Sequence, residues 1–333
     1  MNILIIKSGS VGDLLLITPI IRRLKTEMDA NVFLAIDENY HALFSENPYI
    51  DQFLSYNEKL TNLRKILTKY EFSHVIDLQN SWRSFRIRKM AGGNHLIFKK
   101  QFLKEWIYLK LKINLLSKSH VVDQYFQLVN SIDIKPDHLG IDFYIPEKDE
   151  VENNWLPKSH QAGYAALAIN AKHFTQKLPT NRLIELCDRI NKPIVLVGNK
   201  EDLPVANEVE SFFKHGTKEQ EEVIEGLNKK TIIFNACGKF NFNQAASIIK
   251  NARWVFAYDN DMMHVASAFN KSLYTIWGNT TPLFGKYPYQ SKFTVFENNK
   301  LSCRPCTLKG FANCPKGHFK CMNEVTFDFY LPD

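Results

Sequence analysis

The sequence predicts an α/β fold with two Rossmann-like domains that face each other across a cleft. Short apolar strands alternate with helical stretches, which is typical of a parallel sheet wrapped by helices. The alternation occurs twice, in halves of about equal length, and a chain of 333 residues exceeds what one hydrophobic core usually organises. Because ligands of such sheets bind at the carboxyl ends of the strands, we expect functional residues in the loops that follow them.

The N-terminal half starts with an apolar strand, a Gly/Ser loop and a helix. We predict strands at 2–6, 31–36 and 74–78, and helices at 14–28 and 107–115. The last helix is predicted from its length and flanks, although its apolar residues alternate. A polar stretch with two prolines at 145–163 indicates a boundary, and we predict domains at 1–157 and 158–333.

The C-terminal half repeats the pattern. The predicted strands are 164–169, 193–197, 231–235, 254–258 and 273–277, most of them separated by helical stretches.

Composition predicts a globular protein. Hydrophobic residues make up 45% of the chain, with 14 Gly and 13 Pro, so neither a disordered nor a collagen-like chain fits. No apolar run has the length of a membrane span, and the apolar start has no preceding basic region and no small-residue cleavage site after it. We therefore expect a cytoplasmic protein.

Positive charge is concentrated in one segment. The net charge is +7, but residues 83–120 hold ten Lys or Arg against one acid, Glu105, which gives +9 there and −2 elsewhere. Aromatic residues are interleaved with these charges. One interpretation is a solvated helix face with its aromatics in the core; the other is a surface for an anionic, partly apolar partner such as a phosphorylated lipid. Nucleic acid is not the predicted partner, because no nucleic-acid motif accompanies the segment.

The loop after the first strand is the first candidate site. It reads Lys7-Ser8-Gly9-Ser10-Val11-Gly12-Asp13 and enters a helix directly. It is neither the Gly-x-Gly-x-x-Gly fingerprint nor a P-loop. Asp13 has two interpretations, a helix cap or a general base for a hydroxyl group.

Two loops of the second half are further candidates. Lys172 and Lys177 follow the strand at 164–169, in a loop over the sheet edge. One interpretation is that these cations bind a phosphate, and the other is that they are ordinary surface lysines. The polar residues Asp259, Asn260 and Asp261 lie between a strand and an apolar helix, where a helix N-terminus binds anions. His264, in the same loop, is either structural or part of that site.

Four late cysteines, Cys303, Cys306, Cys314 and Cys321, have a spacing that a tetrahedral structural zinc accepts. The alternatives are reduced thiols, or disulfides, which the cytoplasm disfavours.

Several motifs, in order along nearly the whole chain, are similar to those of the bacterial heptosyltransferases, glycosyltransferase family 9. The matching segments are 6–13 with Thr18-Pro19, 47–51, 75–79 with Arg83-Ser84, 259–264 with Ala266 and Ala268, and 278–282 with Phe284-Gly285. The last resembles that family's Gly-Pro-Thr-x-Pro turn. Three positions depart from the family pattern: Lys7 replaces Arg, while Asn80 and Asp261 stand where Gly is frequent.

The resemblance implies a GT-B fold, with acceptor bound by residues 1–157 and sugar nucleotide by residues 158–333, which include the Cys-rich segment. It implies inverting, metal-independent transfer of heptose from ADP-heptose to the lipopolysaccharide inner core, with no cofactor required for catalysis. One alternative is a related transferase that uses another nucleotide sugar for lipopolysaccharide or a surface glycan. Another is a sugar-nucleotide-binding protein without catalysis.

The resemblance also implies residue roles. Asp13 matches the catalytic base, Lys177 the diphosphate contact, Glu201 the ribose contact, Asp259 the sugar contact and His264 the loop histidine. We add Gly12 and Asn260 to the donor site. The acceptor-binding set is Lys7, Ser10, Arg83, Arg86, Arg88 and Lys89. The partner implied is a phosphorylated, lipid-linked glycan, and we expect the basic segment to hold it while the protein is peripheral on the inner face of the inner membrane.

Overall fold

The computed structural model describes residues 1–215 and 231–332, which divide into two compact units. The first unit contains residues 1–104 and 116–144, and the second contains residues 105–115 and those from 145 onward. The change of unit at Tyr144 adjoins the polar stretch at 145–163. The functional division at residue 157 stays a prediction.

The first unit is built on a sheet of five parallel strands in the order β3-β2-β1-β4-β5. The strands are β1 (Asn2–Ile6), β2 (Asn31–Ile36), β3 (Gln52–Ser55), β4 (Phe72–Asp77) and β5 (Asn94–Ile97). The central strand β1 is buried along Ile3–Ile6, as expected of a parallel strand covered on both faces. The predicted strands β1 and β2 are confirmed, and β4 starts two residues before its predicted position.

Six helices begin in the first unit. They are α1 (Val11–Leu15), α2 (Thr18–Met28), α3 (Leu60–Leu67), α4 (Trp82–Ala91), α5 (Phe102–Leu111) and α6 (Val121–Val129). The single helix predicted at 14–28 is wrong, because the structure has two helices there. Pro19 has no N–H to continue α1, and the Thr18 hydroxyl donates to the Leu15 carbonyl, 2.8 Å away. The helix predicted at 107–115 is α5, which starts five residues earlier and ends at Leu111.

The second unit has a six-stranded parallel sheet in the order β11-β10-β9-β6-β7-β8. The strands are β6 (Ala165–Ala168), β7 (Pro193–Val197), β8 (Ile232–Asn235), β9 (Trp254–Tyr258), β10 (Ser272–Trp277) and β11 (Phe293–Glu297). Its helices are α7 (Lys158–Gln161), α8 (Thr180–Ile190), α9 (Leu203–His215), α10 (Phe242–Asn251), α11 (Asp261–Ala268) and α12 (Lys320–Asn323). The strand order reverses between β9 and β6, so the loops after these strands meet at a switch point, where such sheets bind ligands.

Both units are parallel sheets with helices, which confirms the predicted α/β class. Each sheet has apolar central strands, and the helices pack their apolar sides against them. Across residues 1–215 and 231–332, the helices are all too short or too polar to cross a bilayer.

Candidate functional site

The loop after β1 places Asp13 at the start of α1. Ser10 is the N-cap: its Oγ accepts from the Asp13 N–H at 3.3 Å, and the Asp13 carboxylate accepts from the Ser10 N–H at 3.4 Å. A Cβ on Gly9 would lie 2.4 Å from Asp13 Oδ2, so glycine is required for the carboxylate to fold over this loop. The prediction that Asp13 caps the helix is therefore confirmed. The half-buried carboxylate is still at the carboxyl edge of the sheet, so the cap does not exclude a role as base.

Lys7 and Gly12 lie below the surface of this edge. Lys7 is 5% exposed, and its ammonium donates to the Tyr125 hydroxyl at 3.0 Å. Gly12 is buried in α1, whereas Ser10 is exposed. Lys7 thus supports Tyr125 from within, and its predicted contact with an acceptor stays a prediction.

The four predicted acceptor-binding residues of α4 fall into two pairs. Arg83 donates to the carbonyls of Tyr56 and Glu58. Arg88 is buried and pairs with the buried Asp77, at 3.3 Å. Arg86 and Lys89 are exposed. The first pair therefore has structural contacts in this unit, while the second is available to a partner.

In the second unit, Lys177 is paired with Asp202, an acid that no sequence motif indicated. Its Nζ lies 2.6 Å from Oδ1 of Asp202, which is 4% exposed. The other oxygen of Asp202 accepts from the Asn199 N–H at 2.9 Å, so the acid also caps the turn after β7. The Lys177 side chain is 30% exposed, and an ammonium has three donors, so it can hold Asp202 and a ligand together. Glu201, the predicted ribose contact, is exposed on the same turn.

The loops after β6, β9 and β10 meet around Asp259. Its carboxylate accepts from the hydroxyl of the buried Thr280 at 2.9 Å, and its carbonyl accepts from the Gln176 amide at 3.1 Å. Asp259 is itself half-buried. Two residues from neighbouring loops thus orient a carboxylate at the switch point.

Asn260 is the N-cap of helix α11, and His264 lies within the helix. The Asn260 side chain caps this helix by accepting from the Met263 N–H at 3.0 Å, and its amide donates to the Asn170 carbonyl at 2.7 Å. His264 is 6% exposed within the helix. The Asp261 carboxylate is in the first turn, where the helix dipole favours negative charge. Asn260 therefore connects the start of α11 to the loop after β6.

Arg304, from the Cys-rich segment, holds the carboxyl end of β10. Its buried guanidinium donates to the carbonyls of Thr280 at 2.9 Å, Trp277 at 3.3 Å and Gly278, and pairs with Glu297 at 2.9 Å. The neighbouring Asn279 is 2% exposed, and neither atom of its side-chain amide has a hydrogen-bond partner in the described ranges. The family resemblance included the turn at 278–282, but it implied no role for Asn279 or for Arg304.

The four late cysteines are free thiols. The Cys306 thiol donates to the Cys303 carbonyl at 3.2 Å, and Cys303 Sγ lies 3.8 Å from His318 Nε2. Within residues 1–215 and 231–332, no three His, Cys, Asp or Glu side chains are grouped so that they could hold a metal ion. The predicted structural zinc stays a prediction. Burial raises the pKa of the Cys306 thiol to about 11 and that of Cys321 to about 12.

Two curated relatives are heptosyltransferases. The chain is 24% identical over 305 residues to lipopolysaccharide heptosyltransferase 1 of Campylobacter coli, which covers 84% of each protein. It is 27% identical over 114 residues to lipooligosaccharide heptosyltransferase 2 of Haemophilus influenzae, a match that spans 34% of this chain and only 29% of that protein.

Solved structures with the same fold include ADP-heptose lipopolysaccharide heptosyltransferase II of E. coli, with a TM-score of 0.66, 18% identity and coverage of 97% of this chain and 98% of that one. An E. coli heptosyltransferase with ADP has a TM-score of 0.61, 17% identity and coverage of 89% and 93%. The family model of glycosyltransferase family 9 (heptosyltransferase) matches residues 60–314, most of the chain. The protein therefore belongs to glycosyltransferase family 9.

Proposed function

We propose that this protein is an inverting, metal-independent glycosyltransferase that moves heptose from ADP-heptose onto the lipopolysaccharide inner core. Family membership and the heptosyltransferase relatives support the reaction class. The observation that carries the proposal is the pair of Lys177 and Asp202, 2.6 Å apart, at the carboxyl edge of the second sheet. A partly exposed cation held by a buried acid is suited to an anionic ligand such as a diphosphate.

In the proposed donor site, each group has a separate task. Lys177 neutralises the charge that develops on the departing diphosphate, which is the largest electrostatic demand of the reaction. The Asp259 carboxylate, oriented by Thr280, accepts hydrogen bonds from hydroxyl groups of the transferred sugar. Glu201, exposed beside Asp202, accepts from the ribose hydroxyls. Gly12, Asn260 and His264 remain proposed donor contacts.

Asp13 is the proposed general base. Inversion requires an acceptor hydroxyl behind the anomeric carbon and a carboxylate that takes its proton as the new bond forms. Asp13 lies at the carboxyl edge of the first sheet with a half-buried carboxylate, which the helix cap holds there through contacts of 3.3 and 3.4 Å. The leaving group departs as the nucleoside diphosphate, so the acceptor proton is the one proton that the base must remove.

Metal independence follows from the assigned tasks of the acids. Asp259 and Asp261 have a spacing that could hold a divalent cation, but Asp259 accepts from Thr280 and is assigned to the sugar, while Asp261 is in the first turn of α11. Lys177 supplies the positive charge in place of a cation. Transfer should therefore persist when divalent cations are chelated.

The proposed acceptor is a phosphorylated, lipid-linked glycan, met on the inner face of the inner membrane by a cytoplasmic, peripheral protein. Arg86 and Lys89 on α4 are the exposed cations of the predicted acceptor set. Phosphates and carboxylates of an inner-core glycan would pair with them.

The direct test is a transfer assay on heptose-deficient lipopolysaccharide acceptor with ADP-heptose, read by mass spectrometry, with and without EDTA. We expect a gain of one heptosyl group at equal rates in both arms. Loss of activity in EDTA would overturn metal independence. A parallel thermal-shift screen of sugar nucleotides tests the donor, because a tight-binding donor raises the melting temperature. A larger shift with another nucleotide sugar would favour the related transferase with a different donor, which the Asp261 departure suggests.

A further inference from the structure

Apolar side chains are exposed in an unusual concentration along residues 102–115. Of the seventeen large hydrophobic side chains exposed in the described part of the chain, six fall in this stretch of fourteen residues. They are Phe102, Leu103, Trp106, Leu111, Ile113 and Leu115, each at least 51% exposed. A soluble surface rarely exposes apolar groups side by side, and where it does, the patch marks an interaction site.

Helix α5 gathers three of these side chains on one side. At 3.6 residues per turn, Phe102, Leu103 and Trp106 lie within an arc of about 100°. None of the residues of α5 is buried, and the Lys100 ammonium lies 5.6 Å from the centroid of the Phe102 ring. Lys110 lies in the same arc, and the exposed Lys104 lies about 100° beyond the edge of the arc that Leu103 forms.

The part of α5 from Glu105 onward belongs to the second unit, and the contacts on its other side are made there. The Tyr108 ring packs against Phe284 with a centroid distance of 6.0 Å. Just after the helix, the Lys112 ammonium donates to the carbonyls of Pro305 at 2.6 Å and Cys303 at 3.1 Å. The apolar arc therefore belongs to an anchored helix and not to a loose segment.

The charge around the arc selects the partner. Residues 99–118 contain six lysines and one acid, Glu105, a net charge of +5. Lysine stems can lie along an apolar surface while their ammonium groups reach outward, and anionic headgroups attract them at the level where tryptophan prefers to sit. Four of the six exposed side chains, Leu103, Leu111, Ile113 and Leu115, are aliphatic, and this majority favours lipid over nucleic acid, whose bases stack on rings such as those of Phe102 and Trp106.

We infer that α5 is an interfacial helix that inserts Phe102, Leu103 and Trp106 into an anionic bilayer, with the surrounding lysines at the headgroups. The inference rests on the proposed function only in taking the inner face of the inner membrane as the bilayer that is bound. It differs from simple attraction of a basic segment to a charged surface, because the apolar arc contributes binding that salt does not screen. Arg83 and Arg88, which have partners inside the first unit, take no part.

The test is flotation of the full-length protein with vesicles of phosphatidylethanolamine and phosphatidylglycerol, compared with phosphatidylcholine vesicles, at low and high salt. We expect the wild type to float with the anionic vesicles at low salt and to keep a residual bound fraction at high salt. The triple variant Phe102→Ser/Leu103→Ser/Trp106→Ser should bind at least about tenfold more weakly at both salt concentrations, because burial of each side chain favours binding several-fold. The variant Lys104→Glu/Lys110→Glu should lose the part of binding that salt suppresses.

Two controls separate insertion from general surface effects. Leu139→Ser/Trp155→Ser removes side chains that are 74% and 72% exposed elsewhere, and should float like the wild type. Trp106→Phe keeps an apolar ring, so it should still bind, but the blue shift of tryptophan emission on vesicle addition should decrease. All variants should keep the wild-type melting temperature, since the substituted side chains are exposed.

Several results would overturn the inference. One is flotation of the triple variant to the same extent as the wild type. Another is complete release of the wild type from vesicles by high salt, and a third is no flotation of the wild type with any vesicle. If the wild type instead self-associates or binds single-stranded RNA and the triple variant does not, the arc contacts another macromolecule and the lipid assignment is wrong. None of these measurements uses donor or acceptor, so failure here leaves the transfer reaction untouched, and failure of transfer leaves this result standing.

Discussion

The carboxyl edges of the two sheets hold their acids in different ways. In the first unit, Asp13 is half-buried and its cap contacts are 3.3 and 3.4 Å long. In the second, the buried Asp202 holds Lys177 at 2.6 Å, and the buried Thr280 donates to Asp259 at 2.9 Å. A group that binds a charged ligand benefits from a fixed position, while a base must remain open to the hydroxyl that it deprotonates. The difference suits a preorganised donor site and an accessible base.

The largest expected effect is that of Asp13→Asn. Asparagine keeps an oxygen that can accept from the Ser10 N–H, so the helix cap survives, but it cannot take a proton. We expect the transfer rate at saturating donor to fall by at least about 100-fold, the usual contribution of a general base. Initial rates by mass spectrometry measure it.

The matched control for Asp13 is Asp37→Asn, which alters another capping acid of the same unit, whose carboxylate accepts from the Asn39 N–H at 3.1 Å. This variant should transfer at the wild-type rate. Equal activity of Asp13→Asn and Asp37→Asn would leave Asp13 as a helix cap alone.

The next effect is that of Asp202→Asn. The amide can still accept from the Asn199 N–H, but it no longer attracts the Lys177 ammonium. We expect the donor KM to rise about tenfold, as for loss of one charge-assisted contact, with a smaller change in kcat. The control is Glu150→Gln, which breaks the pair with the 43% exposed Lys250 and should change neither constant, since exposed pairs contribute little. An unchanged donor KM in Asp202→Asn would mean that Lys177 can bind the donor without the Asp202 carboxylate to position it.

A smaller effect is expected of Thr280→Val, which removes one hydrogen bond to Asp259 without changing the side-chain shape. Loss of such a bond is worth about 1 kcal/mol, so we expect donor affinity to decrease roughly fivefold. Thr275→Val, on the strand β10 that precedes Thr280, is the control. It removes a buried hydroxyl that bonds Thr294 and Trp277, so it should lower the melting temperature and leave donor affinity alone. The reverse pattern would remove Thr280 from the donor site.

The smallest effect concerns pH and the support of the second sheet. His160 is buried, bonds the Ile194 carbonyl of β7 at 3.1 Å, and burial lowers its pKa below the ordinary value. The folded state therefore favours neutral His160, and its contribution to stability is complete above pH about 6.5 and is lost as pH falls toward the lowered pKa. We expect His160→Gln to be less sensitive to acid than the wild type between pH 7.5 and 5.5, by at most about 1 kcal/mol per pH unit. Melting temperatures at both pH values test it, and parallel curves would contradict it.

The central strands could be predicted from sequence. Of the four edge strands described, β8 was predicted, at 231–235, and the other three were not. Strands β1, β2, β7 and β9 are continuous apolar runs because both faces are buried, and their predicted bounds are correct. Strands β3, β5 and β11 were missed. They lie at or near the sheet edges and have mixed, partly exposed residues that carry no clear period.

The loops that hold the site residues could be predicted from sequence, but the contacts of their side chains could not. The resemblance selected Glu201, but only the structure shows that Asp202 faces Lys177 while Glu201 is exposed. Likewise, ten basic residues read alike in the sequence, yet Arg88 pairs with buried Asp77 while Lys89 is exposed. Charge alone does not tell a structural arginine from a free one, because the acids that pair with it come from distant strands.

The claim that the two sheet edges have separate roles is tested most directly by calorimetric titration of ADP into Asp13→Asn and Lys177→Ala, prepared in parallel with the wild type. We expect a wild-type Kd for Asp13→Asn and at least about tenfold weaker binding for Lys177→Ala, because a charged contact to phosphate is lost. Unchanged ADP affinity in Lys177→Ala, or affinity lost in Asp13→Asn instead, would contradict it.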